Sequence, residues 1–158
     1  MSLKYRTLPE QRRAMLWQAL QQQKKLRIME AHNGLSGLIA NSARITQGNG
    51  QVREFDGLWV SSLTDSAAKG HPDTEVVSFD SRLNTIQEII QVTNKFIVVD
   101  GDTGGEASQF EYFCAKLENA GVSAVIIEDK QYPKRNSLAA DAIQDLEIPE
   151  VFAEKIIK

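Results

Sequence analysis

The sequence predicts an α/β fold made of repeated strand–helix units. Apolar segments suited to strands start near residues 26, 57, 95 and 122 and alternate with segments of helical period. Two of them, KFIVVD (95–100) and VSAVIIED (122–129), are continuously apolar, as strands buried on both faces of a parallel sheet are. Polar residues collect where the strands end, and that carboxyl edge carries the site in both doubly wound sheets and (β/α) barrels.

The elements follow in order. LPEQRRAMLWQALQQQK (8–24) has helical spacing, with Leu8, Met15, Leu16, Ala19 and Leu20 for one face and Pro9 in the first turn. LRIM (26–29) is a short strand that runs into EAHNGLSGLIANSARI. There Asn33 and Gly34 suit a turn, and Leu35, Leu38, Ile39 and Ala43 suit a helix face. QGNGQVRE (47–54) is a polar, glycine-rich break, a loop or a helix end. FDGLWVSS (55–62) is the second strand, and SLTDSAAKGHPDTEVVS (62–78) reads as a long loop. SRLNTIQEIIQVTN (81–94) is a helix with Leu83, Ile86, Ile89 and Ile90 on one face. The third strand is 95–100, followed by the turn GDTGG (101–105) and the helix SQFEYFCAKLENAG, which Gly121 stops. After the fourth strand (122–129) come a basic loop, KQYPKRNSL (130–138), and a helical segment, PEVFAEKIIK (149–158).

Composition sets the outer limits. The 158 residues suit one domain, and 42% hydrophobic content supports a core. A net charge of -3 lacks the basic surface of a nucleic-acid binder. The single cysteine, Cys114, excludes an intrachain disulfide framework and a cysteine-rich zinc site, and its helical setting makes it a small core residue. No apolar run reaches the ~20 residues that span a bilayer, and no secretory signal stands at the start, so a cytoplasmic location without a membrane partner is expected. A complete (β/α)₈ barrel takes about 250 residues. This chain offers four units, so it is either a small open sheet or part of a larger barrel.

The candidate chemistry lies at the strand ends. The third strand delivers Asp100 and, two residues on, Asp102, among glycines that let the backbone approach a ligand. The fourth delivers Glu128, beside them if sequential parallel strands are neighbours. Three carboxylates round one point call for a hard cation, Mg²⁺ or alternatively Mn²⁺ rather than Zn²⁺. The same acids read equally well as turn and surface carboxylates. Ser61, Ser62 and Leu63 offer backbone N–H groups to a carboxylate or phosphoryl oxygen, or simply cap an element. Asp73 is a lid acid or a solvated loop acid, and Trp59 a core residue or a pocket wall. Lys130, Lys134 and Arg135, with Asn136 and Ser137 after them, form a loop able to close over an anion, or a solvated charge run. His32 is as readily structural as acid–base, and His71 is a solvated loop residue.

The segments EAHNGLSGLIA (30–40), DGLWVSSLTDSAAKGHPD (56–73), IVVDGDTGG (97–105) and GVSAVIIEDKQYPKRNSL (121–138) together resemble the phosphoenolpyruvate mutase / isocitrate lyase superfamily, on its phosphoenolpyruvate phosphomutase branch. The resemblance implies a (β/α)₈ TIM-type barrel, of which residues 1–158 supply about the first four units as an N-terminal half. It implies Mg²⁺, a small phospho- or phosphono-2-oxo acid as ligand, and a homo-oligomer. It implies an isomerase that interconverts phosphoenolpyruvate and phosphonopyruvate through a pyruvate enolate, with phosphonopyruvate hydrolase as the alternative. By position, Asp100 matches the direct metal ligand, and Asp102 and Glu128 match carboxylates that hold the metal's waters. Ser61, Ser62 and Leu63 match the segment that holds the substrate carboxylate, with Ser62 where glycine is frequent. Trp59 matches a wall residue, and Asp73 the acid beside the migrating phosphoryl group. Lys134, Asn136 and Ser137 match the gating loop. The lyase branch carries a cysteine motif in that loop, and KQYPKRNS replaces it here. The arginine and the histidine implied further on lie beyond Lys158, so the 158 residues alone are expected to be poorly active, or a non-catalytic remnant with a binding role.

Overall fold

In a computed structural model, residues 4–22, 25–140 and 143–157 are described. The core is a four-stranded parallel sheet in the order β1 (Ile28–Glu30), β4 (Gly57–Val60), β5 (Phe96–Asp100), β6 (Ala124–Ile126). Each strand is separated from the next by at least one helix: α2 (Gly34–Ser42), then α3 (Ser62–Ala68) and α4 (Phe79–Ile90), then α5 (Ala107–Ala120). Two further helices, α1 (Pro9–Gln21) and α6 (Pro149–Ile157), flank the sheet in sequence. The expected βα repeat is therefore present, with the fourfold strand order of a parallel sheet.

One sheet face forms the core. Leu58, Val60, Ile97 and Val99 are buried with Ile86 and Ile89 of α4 and Phe110, Phe113 and Leu117 of α5. Phe79 and Phe113 stack with ring centroids 4.3 Å apart. Two-residue alternation turns Glu30, Trp59 and Asp100 to the other face, because Glu30 pairs with Trp59, Trp59 with Val98, and Val98 lies two residues before Asp100. Cys114 is half-buried against the core, and burial pushes its thiol pKa up, away from a reactive thiolate.

Four sequence expectations need correction. The face of α1 is the apolar set only in part: Met15, Leu16 and Ala19 are half-buried, Leu8 and Leu20 are exposed, and the fully buried residue is Arg12, whose Nη2 donates to the Thr93 carbonyl at 3.1 Å. The helix covers the start of β5, where it meets carbonyl groups as well as side chains. The end of the expected segment, residues 23–24, lies outside the described residues. In α2 the buried residues are Gly37 and Ala40, while Leu35, Leu38 and Ile39 are exposed. A Cβ at Gly37 would stand 3.3 Å from Ile89 and Val92, so the α2–α4 contact is made by small residues. QGNGQVRE is a loop only over residues 47–51 and not a helix end: its last three residues, Val52–Glu54 (β3), pair antiparallel with Arg44–Thr46 (β2) as a hairpin. Finally, the long loop after the second strand begins with α3.

Candidate active site at the carboxyl edge of the sheet

Asp100 ends β5, and its carboxylate is fixed from two sides. Ser62, the first residue of α3, donates its N–H (3.1 Å) and its hydroxyl (2.8 Å) to Asp100 Oδ2. Asp102 donates its N–H to Asp100 Oδ1 at 3.0 Å, in a turn where Asp102 itself has φ 56. Strand pairing of β4 with β5 sets this up, because Val60 stands opposite Val99 and brings the next residues of both strands together.

Asp102 is buried and held by two cations. Arg82 of α4 reaches its Oδ2 at 2.6 Å, and Lys134 of the basic loop reaches its Oδ1 at 2.6 Å. Burial raises the Asp102 pKa, the two cations pull it down, and the Asp100 charge adds to the rise. Lys134 also meets Asp73 at 3.0 Å, the Ser62 hydroxyl at 3.1 Å and, more loosely, Glu128 at 3.8 Å. Burial works against the Lys134 ammonium, but the hydrogen bonds and charges of Asp102 and Asp73 outweigh it and push its pKa up to about 12.

The structure therefore brings Ser62, Asp73, Asp100, Asp102, Glu128 and Lys134 together. Ser61 is the N-cap of α3 without a side-chain cap bond, Leu63 lies exposed on that helix, and Trp59 is half-buried on the face of Asp100. Two expected loop residues are engaged within the loop: Asn136 Oδ1 accepts from the Leu138 N–H at 2.9 Å, and the Ser137 hydroxyl accepts from Lys130 at 2.7 Å. The expected anion cradle differs in one respect, since the Ser62 N–H points at Asp100.

A match to a family model joins this geometry. The model described as phosphoenolpyruvate phosphomutase covers residues 17–156. The chain belongs to the phosphoenolpyruvate phosphomutase family. It is 38% identical over 130 residues to a phosphoenolpyruvate phosphomutase of Tetrahymena pyriformis, covering 82% of this chain and 40% of that protein. It is 34% identical over 129 residues to a phosphonopyruvate hydrolase of Variovorax sp., covering 81% and 41%. Among solved structures it resembles a phosphoenolpyruvate phosphomutase from Streptomyces platensis subsp. rosaceus, with a TM-score of 0.78, 33% identity, and 90% of this chain against 46% of that one. A phosphonopyruvate hydrolase in complex with oxalate and Mg²⁺ is similar at a TM-score of 0.75 and 31% identity, over 92% and 46%. The chain thus spans about two-fifths of the curated relatives and under half of the solved ones. Its α/β fold with a parallel core sheet is the one typical of this (β/α)₈-barrel superfamily.

The donor chemistry fits the metal that the family implies. The groups are hard oxygen donors, Asp100 Oδ1 accepts one bond and keeps acceptor capacity while Oδ2 already accepts two, and Asp73 Oδ1 is buried with no hydrogen-bond partner. Among the described residues no three His, Cys, Asp or Glu side chains converge ready to hold an ion; the Lys134 ammonium stands among Asp73, Asp102 and Glu128. The described residues contain no helix long and apolar enough to cross a membrane.

Sequence reasoning missed a second layer of residues. Asp65 and Arg82 are buried on α3 and α4, and Arg82 Nη1 lies 3.7 Å from Asp65 while Nη2 holds Asp102. Asp65 Oδ1 also accepts from Thr85 at 2.8 Å and is paired with Lys69. Glu30 faces the site side of β1 and contacts His32 (3.1 Å) and the Thr64 hydroxyl. Charged residues inside otherwise periodic helices, such as Arg82 between Phe79 and Leu83, are the signal that was available.

Proposed function

We propose that residues 1–158 carry the metal- and enolate-binding part of a phosphoenolpyruvate mutase-type barrel, an isomerase that interconverts phosphoenolpyruvate and phosphonopyruvate and works as a homo-oligomer. The observation that carries the reading is the Asp100 carboxylate, fixed by Ser62 and Asp102 at the sheet edge beside Asp73 and Lys134. Asp100 would hold Mg²⁺ directly, with Asp102 and Glu128 on its waters. Bound there, Mg²⁺ would supply Lewis-acid stabilisation for the negative charge of a pyruvate enolate.

The chain's own residues do the rest. Ser62 and the Asp102 N–H keep Asp100 in one orientation, so Asp100 itself need not reorient when a ligand arrives. The loop that carries Lys134, Asn136 and Ser137 excludes water, which matters because water diverts phosphoryl transfer into hydrolysis. Lys134 holds the buried Asp73 carboxylate on the site side, where it would face a migrating phosphoryl group. Ser61 and Leu63 at the start of α3 would take the substrate carboxylate end against the wall formed by Trp59, while Ser62, matched to the same segment, is committed to Asp100.

A second reading, phosphonopyruvate hydrolase, is favoured by the similarity to the Variovorax protein and to the oxalate–Mg²⁺ complex. Asn136 in the loop leans towards the mutase. Incubation with phosphonopyruvate and Mg²⁺ followed by phosphorus NMR separates the readings: phosphoenolpyruvate marks a mutase, free phosphate with pyruvate a hydrolase. Calorimetry tests the shared part. Oxalate is expected to bind only with Mg²⁺ present, and Asp100→Ala is expected to abolish it; absence of Mg²⁺-dependent oxalate binding by the native chain would overturn the assignment.

A further inference from the structure

Glu75 lies two residues past Asp73 in the connection from α3 to α4, and none of the roles above uses it. Its φ of 60 is a left-handed conformation that a side chain with a β-carbon disfavours, so surrounding contacts must hold it there. Those contacts divide its carboxylate in two. Oε1 accepts from the Thr103 N–H at 2.9 Å and from the Thr103 hydroxyl at 2.7 Å. Oε2 accepts from the backbone N–H of Lys134 at 2.8 Å.

The two halves differ in rigidity. Thr103 is fully buried, its hydroxyl accepts from the Gly105 N–H at 3.1 Å, and its carbonyl accepts from Lys155 of α6 at 3.2 Å. Lys134 sits in a loop without regular structure. Among the described residues, its N–H on Glu75 is the one backbone hydrogen bond that ties positions 132–138 to the body of the protein; the other amides that bond there, those of Leu138 and Ala139, turn back onto Asn136. Glu75 forms no ion pair among the described residues, so its charge is met entirely by N–H and O–H donors of these two segments.

We propose that Glu75 is the latch of the 130–138 loop: a positioning residue that bolts the Lys134 backbone to the β5 turn and thereby sets the reach of the Lys134 ammonium to Asp73 and Asp102. One carboxylate joins the loop backbone, the turn that carries Asp102 and the segment that carries Asp73; without it the Lys134 ammonium still reaches Asp73 and Asp102, but the loop backbone is no longer fixed. The proposal rests on the functional reading only in treating the loop as a lid over a ligand. Failure of Mg²⁺ and oxalate to bind would sink that reading and leave the latch untouched.

The chemistry of Glu75 supplies a selective test. Glu75→Gln keeps one oxygen for Thr103 but turns an NH₂ group towards the Lys134 N–H, donor against donor. In that variant, tryptic cleavage after Arg135 is expected to speed up by about tenfold or more, the order set by losing a hydrogen bond to a charged acceptor, with little change at sites elsewhere. In hydrogen exchange, the Lys134 amide should lose protection while the Thr103 amide keeps it. Unchanged cleavage after Arg135, or an equal rise at all tryptic sites, would overturn the proposal. If Glu75→Gln does not fold, the native protein decides: its Lys134 amide must exchange more slowly than the amides of Arg135 and Ser137, and equal exchange of all three refutes the latch.

Discussion

The Lys134 ammonium lies 2.6 Å from Asp102 Oδ1, and both side chains are 3% exposed. A loop cation at that depth is not a surface ion pair. Two ions taken out of water repay their desolvation only through each other and further hydrogen bonds, and here the further partners are Asp73 and the Ser62 hydroxyl.

Removing the cation is therefore costly. Lys134→Met is expected to destabilise the protein by about 3 kcal/mol near neutral pH, because it strands buried carboxylates. The penalty should shrink in acid. Burial already raises the Asp102 pKa, and loss of Lys134 raises it further, so protonation relieves the stranded charge as pH falls. Urea denaturation of both proteins between neutral and acid pH checks this; a penalty that stays constant or grows in acid contradicts it.

Alkali should act in the opposite sense on the native protein. The Lys134 pKa rises from its ordinary 10.5 to about 12 in the fold. A raised lysine pKa contributes stability in full below the unfolded value and loses it as pH climbs through the folded one. The contribution is about 2 kcal/mol, present below about 10.5 and gone above about 12. The stability difference between native protein and Lys134→Met, followed by thermal denaturation from pH 9 upward, should narrow in that window and not before it.

Arg82 closes the site from the helix side. It bridges Asp102 and Asp65, both buried, so Arg82→Met is expected to cost about 3 to 5 kcal/mol by leaving two carboxylates without their shared cation. Asp65 retains Lys69 and Thr85, whereas Asp102 retains Lys134. Adding Asp65→Asn to Arg82→Met should therefore recover part of the loss, since it removes one of the stranded charges. Strict additivity in a double-mutant cycle would show that the three groups are not coupled.

How far these features were legible in the sequence follows from the kind of interaction. The continuous apolar run fixed β5, because burial on both faces leaves a one-dimensional signal; the same signal misled for β6, which stands at the end of the sheet order with Ala124 and Val125 half-buried and Ile126 exposed. Gly121 was readable as a helix stop, and it has φ 85, but the reason alanine cannot replace it was not: a Cβ there would come 2.7 Å from the Pro9 Cα of α1, 112 residues away in sequence. Asp100 and Ser62 were both singled out, yet their bond depends on the β4–β5 register, which no local pattern encodes. Small-residue packing at Gly37 and the buried Arg12 ran against the rule that large apolar side chains mark the buried face. The hairpin round QGNGQ has exposed strands on both sides, and so lacked the alternation that betrays a half-buried strand.

Lys134 and a divalent cation draw on the same carboxylates, and this gives a prediction about the metal itself. The ammonium touches Asp102 and approaches Glu128, the two groups assigned to the waters of Mg²⁺. Like charges at contact distances in a partly buried site repel by several kcal/mol, so the ammonium must withdraw or be compensated for the ion to settle. Lys134→Met should then bind Mg²⁺ more tightly than the native chain, by about tenfold or more, even though it is the less stable protein. The two effects have opposite signs, which separates them from general damage to the fold. Calorimetric titration with Mg²⁺ alone, at a temperature where both proteins are folded, reads the difference without any substrate. Equal or weaker binding by the variant would mean that the cation is held away from Asp102 and Glu128, and the water-ligand roles of both would fall together.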